Sequence, residues 1–154
     1  LGDVYKRQVL KMVLGINACS GGRLELASGL VISYVPQDAS GLSGTLNGFA
    51  EKEGIDRTLF LAILRKLDFE RAQFEKRMED YSEGQKKKVL IAGSLCRQAH
   101  LYIWDEPLNY IDIFSRMQIE KLIRIFEPTM LFVEHDARFV KDAATRIVNF
   151  ETLR

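Results

Sequence analysis

Cysteine is nearly absent from this chain: its 154 residues include only Cys19 and Cys96. Neither stands in a paired spacing that could hold a metal, and Cys96 falls on a predicted buried helix face, which points to a reducing compartment. An excess of charge is missing too. With 22 basic against 21 acidic residues, the net charge of +1 creates no global field toward nucleic acid or an anionic membrane, so any such contact must be local. No apolar run approaches about 18 residues, and no signal-peptide pattern opens the chain. Nothing in the sequence is expected to span or enter a membrane, and the chain reads as cytoplasmic. What is present is a 47% hydrophobic composition, enough to bury the core of one α/β domain and too little chain for two generous ones.

Residues Leu1 to Gln8 (LGDVYKRQ) mix charges without periodicity and look like a translated sequencing-adapter tail, so the fold is read from residue 9, as a domain over 9–154. Val9, Leu10, Val13 and Leu14, followed by Gly15, form the last two turns of a helix with a glycine stop. Leu24-Glu25-Leu26 and the run Leu30 to Val35 have strand composition and flank Ser28-Gly29, which predicts a hairpin or meander ending before Pro36 and Gln37. Asp56 caps an amphipathic helix carrying Leu59, Phe60, Ile63, Leu64 and Leu67, and a more charged helical stretch runs from Phe69 to Glu79. Together they predict a small helical subdomain over about 42–81. A helix then follows Ser82, and a strand spans Leu101 to Trp104. The last third alternates helix (Ile113 to Phe126), strand (Met130 to Val133), helix (Asp136 to Ala144) and strand (Ile147 to Phe150). Such alternation predicts βαβ units and a mostly parallel sheet.

Chemistry concentrates at strand ends. Asp105 and Glu106 close an apolar strand, where ligands bind in open α/β sheets. Neighbouring strand residues face opposite ways, so the two acids do different work unless the strand has ended. Asp105 suits a magnesium shell and Glu106 the polarising of an attacking water; the plainer reading is a solvated turn stopped by Pro107. Ser82 and Gln85 form an S-x-x-Q capping box, a sufficient structural reason for both. A functional reading adds that Gly84 lets backbone approach a phosphate at a helix N-terminus. Lys86, Lys87 and Lys88 oppose the helix dipole there by about 0.3–1 kcal/mol each. They read either as a solvated face or as a contact to a phosphate of ATP or rRNA. His135 follows a strand, as a turn residue or as a hydrogen-bond donor that holds a water in line. Gln37 could reach magnesium through its amide oxygen. His100 reads as structural, and Tyr102 and Trp104 as packing of the central sheet.

In their order and spacing, Gln37, Ser82-Glu83-Gly84-Gln85, Asp105-Glu106, Asp112 and His135 resemble the Q-loop, signature, Walker B, D-loop and H-switch of an ABC nucleotide-binding domain. More narrowly, Tyr34 to Asp38, Gly84 to Ala92, Leu108 to Asp112 and Leu131 to Asp136 look like the second ATPase domain of an ABC-F protein of the antibiotic-resistance, ribosome-protection branch. The resemblance implies an α/β, P-loop NTPase fold of the ABC type that hydrolyses ATP with Mg2+. It implies Glu106 and His135 as catalytic residues, Gln37, Ser82, Gly84, Gln85 and Asp112 as nucleotide contacts, and Asp105 with Gln37 at the metal. It also implies two partners, a second ABC ATPase domain in the same full-length chain and the ribosome or its rRNA. ATP would lie between two domains, with Asp105, Glu106, Gln37 and His135 serving one site and Ser82, Gly84 and Asp112 the opposite one.

Two departures qualify that picture. Glu83 stands where the signature most often has glycine. A phosphate-binding loop needs G-x-x-x-x-G-K-[ST], and the sequence contains no Gly-Lys dipeptide, so this chain alone is expected to bind ATP weakly or not at all. Two other readings stand beside the ABC-F one: the ATPase subunit of an ABC transporter, and an inactive truncated remnant.

Overall fold

A computed structural model describes residues 2–150. Leu1, the first residue of the expected tail, and residues 151–154 of the expected domain lie outside them. The centre is a parallel sheet of β1 (Ile32–Val35), β2 (Leu101–Asp105) and β3 (Met130–Val133), in that spatial order. Val35 pairs with Trp104, and Asp105 with Val133, so the chain leaves all three strands at one edge. That shared edge brings the segments after β1, β2 and β3 together. Parallel strands need long crossovers, and the chain supplies them as helices. Between β1 and β2 run α2 (Leu46–Glu53), α3 (Arg57–Lys66), a one-turn α4 (Arg71–Phe74), a 3-10 turn (Met78–Asp80) and α5 (Glu83–Cys96). Between β2 and β3 runs α6 (Ile113–Phe126), while α7 (Ala137–Ala143) follows β3 and α1 (Gly2–Val13) precedes β1. The expected α/β fold with a parallel sheet is therefore the one observed.

The central helix α5 is buried on most of its circumference, as a helix sandwiched between layers must be. Val89, Ile91, Ala92 and Leu95 join Val35, Trp104 and the α3 residues Phe60, Ile63 and Leu64 in one core. Ser33, Ser94 and Trp104 pair their polar atoms inside it: Ser33 and Ser94 exchange a hydroxyl contact at 2.7 Å, and the Trp104 indole donates to Ser94 Oγ at 2.9 Å. Trp104 is fully buried, as its packing role requires. His100 is structural as well, since its Nδ1 accepts from the backbone of Val31 just before β1.

Several expected elements differ. Leu24 to Leu26 form no strand and no hairpin; both leucines are exposed, and β1 starts only at Ile32, where β2 offers a parallel partner. Strand composition without a half-buried surface to cover does not make a strand. The stretch Phe69 to Glu79 is not one helix. Asp68 turns left-handed (φ 64°), α4 lasts one turn, and Met78 N donates to Gly44 O at 2.8 Å while Glu79 accepts from Gly44 N, so long-range contacts replace the helical ladder. Ile147 to Phe150 form no strand, with Ile147 and Val148 exposed and no neighbouring edge taken up. Helix α1 extends back to Gly2 through residues read as lacking periodicity. In contrast, α6 and β3 occupy the expected residues.

Candidate functional site

Strand β2 ends at Asp105, and Glu106 takes a left-handed conformation (φ 49°), an arrangement costing about 1–3 kcal/mol for a residue with a Cβ. The turn cancels the alternation of a strand. Both acids consequently reach one guanidinium: Arg7 Nε lies 3.1 Å from Asp105 Oδ2, and its Nη2 lies 3.3 Å from Glu106 Oε1. Glu106 Oε2 accepts from Gln37 Nε2 at 2.9 Å and from Asn109 Nδ2 at 2.8 Å. His135 Nε2 stands 3.6 Å from Glu106 Oε1 and 3.4 Å from Asp3. Gln37, Asp105, Glu106 and His135, drawn from the ends of three strands, thus form one cluster.

The cluster fits a hard cation. Asp105 is buried, and its Oδ1 is the one buried side-chain N or O atom without a hydrogen-bond partner among the described residues. A buried carboxylate oxygen left bare costs free energy that a metal or its water would recover. Gln37 spends its amide NH2 on Glu106, which leaves the amide oxygen as the acceptor a metal role needs. Among the described residues no group of three or more His, Cys, Asp or Glu is arranged to hold a metal by itself; Mg2+ takes one or two carboxylates and completes its shell with water and phosphate.

Ser82, Gly84, Gln85 and Asp112 form a second group. Ser82 Oγ accepts from Gln85 N at 3.2 Å while Gln85 Oε1 accepts from Ser82 N at 3.0 Å, completing the capping box. Gly84 has a local structural reason: a Cβ there would lie 2.5 Å from Tyr110 O. What presses against it is the backbone of the turn that carries Asp112. Asp112 caps α6 through Ser115 N and Ser115 Oγ, both at 2.8 Å, and pairs with Lys88 at 2.9 Å. Burial pushes its carboxyl up, but Lys88 and Ser115 outweigh this and hold it at about 2. Glu83 turns toward Lys86, at 3.6 Å, so the acid that departs from the signature is partly neutralised along its own helix.

Lys86 is partly exposed and pairs with Glu83 of its own helix, whereas Lys87 and Lys88 follow neither reading made of the three lysines. Lys87 is 1% exposed and donates to Pro36 O at 2.9 Å and Gln37 O at 2.7 Å; Lys88 is buried against Asp112. They face neither solvent nor an open phosphate position, because neighbouring elements already take their ammonium groups. Sequence reasoning also passed over Asn109, which grips Glu106, and Glu134, whose carboxylate accepts from Leu108 N at 3.1 Å and from His135 N at 2.8 Å. Glu134 thereby ties the end of β3 to the turn after β2. The available signal was position alone: each polar residue sits within three of a site residue at a strand's carboxyl end.

A family model described as "ABC transporter" matches residues 8–109. The "Probable ATP-binding protein YbiT" of Escherichia coli O157:H7 is 28% identical over 151 residues, covering 94% of this chain and 28% of that protein. The ATP-binding protein Uup of Buchnera aphidicola is 26% identical over 154 residues, 95% of this chain and 26% of that one. The zinc import ATP-binding protein ZnuC of Marinobacter nauticus is 30% identical over 93% of this chain and 58% of its own length. The chain therefore spans only about a quarter of YbiT and Uup. Among solved structures, the archaeal ribosome recycling factor aABCE1, in complex with the ribosomal stalk protein aP1, superposes with a TM-score of 0.73 at 25% identity over 89% of this chain and 28% of that one. An RNase-L inhibitor gives 0.72 at 25% identity with the same coverage. Among the described residues, no helix is long and apolar enough to cross a membrane.

Proposed function

The chain belongs to the ABC transporter family of ATP-binding domains, and we propose that it supplies two half-sites for ATP hydrolysis in a cytoplasmic, ribosome-associated protein of the ABC-F type. The observation that carries this is the seating of Glu106: two amide donors hold one carboxylate oxygen, and the other oxygen faces His135 at the sheet edge. A carboxylate fixed in that way can accept a proton from an attacking water, and His135 can donate to an oxygen of the reacting phosphate. Asp105 with Gln37 would hold Mg2+, which supplies charge neutralisation on the phosphates. Arg7 provides positive charge to both acids within this chain. Residues 1–8 are proposed to be foreign to a domain spanning 9–154, with a helical subdomain over about 42–81.

Ser82 Oγ already accepts a backbone N–H, yet its hydroxyl hydrogen stays available to a phosphate presented by a second ABC domain of the full-length protein. Gln85 spends its oxygen on the cap and keeps its NH2 for such a ligand. Gly84 and Asp112 shape the same surface. The similarity to Uup and YbiT supports the ABC-F type, and the structural likeness to a ribosome recycling factor supports the ribosome or its rRNA as partner. Antibiotic resistance by ribosomal protection is the narrower form of this proposal and rests on the motif runs named above. The similarity to ZnuC favours a transporter ATPase instead, with the cleft of about 270 Å³ between α2 and α5, lined by Thr45, Phe49, Lys52 and Arg97, as a docking groove.

Steady-state turnover and sedimentation of the intact protein test the proposal. Glu106→Gln is expected to lower ATP turnover by about 10²-fold or more and to leave ATP-dependent pelleting with ribosomes in place. Wild-type turnover in that variant would remove Glu106 from its role, and co-fractionation with membranes in place of ribosomes would favour the transporter reading.

A further inference from the structure

We propose that Lys87 is a positioning residue that couples the Ser82 cap of α5 to the Gln37 amide, and through it to Glu106. Strand β1 ends at Val35, so the carbonyls of Pro36 and Gln37 have left the sheet ladder and need other donors. Lys87 supplies them from inside the protein, its Nζ lying 2.9 Å and 2.7 Å from the two oxygens. Desolvation lowers the pKa of this ammonium, and the charges of Asp105, Glu106, Glu134 and Asp38 act against that fall. A buried methionine at the same position would cover comparable area without the cost of burying a charge, so packing alone does not account for a lysine.

The connections around Lys87 form a path. Lys87 stands five positions beyond Ser82, about 7.5 Å along the axis at 1.5 Å per residue, and a hydrogen-bonded helix transmits displacement over that length as a rigid body. Beyond Lys87 the path runs through the Gln37 backbone to Gln37 Nε2, which is 2.9 Å from Glu106 Oε2. Lys88, the next residue, is turned about 100° around the helix and pairs with Asp112. Two adjacent lysines thus fasten α5 to both groups of site residues. On the proposed function, Ser82 faces a nucleotide held by another domain and Glu106 faces the chain's own. A shift of the Ser82 end as that domain closes is then felt at Glu106 through Lys87.

The intact protein with Lys87→Met, Lys87→Arg and Glu106→Gln tests this by kinetics and by hydrogen exchange without nucleotide. Lys87→Met is expected to lower kcat by on the order of tenfold to a hundredfold with KM within about twofold, since misplacing a polarising group costs rate rather than binding. Exchange should rise at residues 37–40 and stay unchanged at Val89 to Leu95, and Lys87→Arg should restore part of kcat. Unchanged kcat in Lys87→Met, or exchange rising equally along α5, would overturn the proposal and leave Lys87 a structural prop. Wild-type turnover in Glu106→Gln would instead sink the site assignment on which this rests. The exchange pattern then decides the Lys87 to Gln37 link alone, and global loosening rejects it.

Discussion

The absence of a Cβ on Gly84 sets how closely the turn carrying Tyr110 approaches α5. A methyl group there would lie 2.5 Å from Tyr110 O, and that oxygen is backbone, so it cannot swing aside as a side chain would. Gly84→Ala is expected to cost about 1–3 kcal/mol, seen as a lower urea midpoint; an unchanged midpoint would show that the turn yields freely. Asp112 responds to acid. Its folded-state carboxyl is held at about 2, below the ordinary value near 3.9, by Lys88 and Ser115. A depressed acid stabilises the fold above its unfolded pKa, and the contribution fades as pH falls from about 4 to about 2. The side chain is about half exposed, so the effect is small. Asp112→Asn should flatten that stretch of the stability curve relative to wild type, and parallel curves would refute the pairing.

Helix α5 is the element on which most of the site depends, and its start was readable before its surroundings were. The S-x-x-Q pattern predicts the capping box, and both of its hydrogen bonds are made. Ser82→Ala should cost about 0.5–2 kcal/mol, measurable by thermal or urea unfolding, and no loss would mean that the cap is satisfied by other donors. The bounds of α6 were readable from its alternation with the flanking strands, and the structure adds that Asp112 caps it. Features set by distant residues were not. Gly44 breaks the stretch from Phe69 to Glu79, and Pro36 and Gln37 draw in Lys87; neither partner lies near in sequence. Leu24 to Leu26 and Ile147 to Phe150 have the composition of strands, but no sheet edge receives them. For the acids, the motif identified Asp105 and Glu106, whereas Asn109 and Glu134, which hold this region in place, carried no pattern of their own.

The parallel sheet converts sequence order into a site by delivering the ends of β1, β2 and β3 to one edge. That edge gathers Gln37, Asp105, Glu106 and His135, while α5 and the head of α6 carry Ser82 and Asp112 as a separate group. In this chain Arg7 neutralises the two acids, so it should compete with a divalent cation for them. Arg7→Ala is expected to tighten Mn2+ binding followed by electron spin resonance, and unchanged affinity would show that Arg7 does not compete with the cation. The central claim, that Glu106 polarises the attacking water, is tested most directly by identifying the nucleotide that the intact Glu106→Gln protein retains after incubation with ATP and Mg2+ and rapid filtration. The expected result is retained, unhydrolysed ATP where the wild type holds ADP. ADP in both proteins, formed at the same rate, would contradict it.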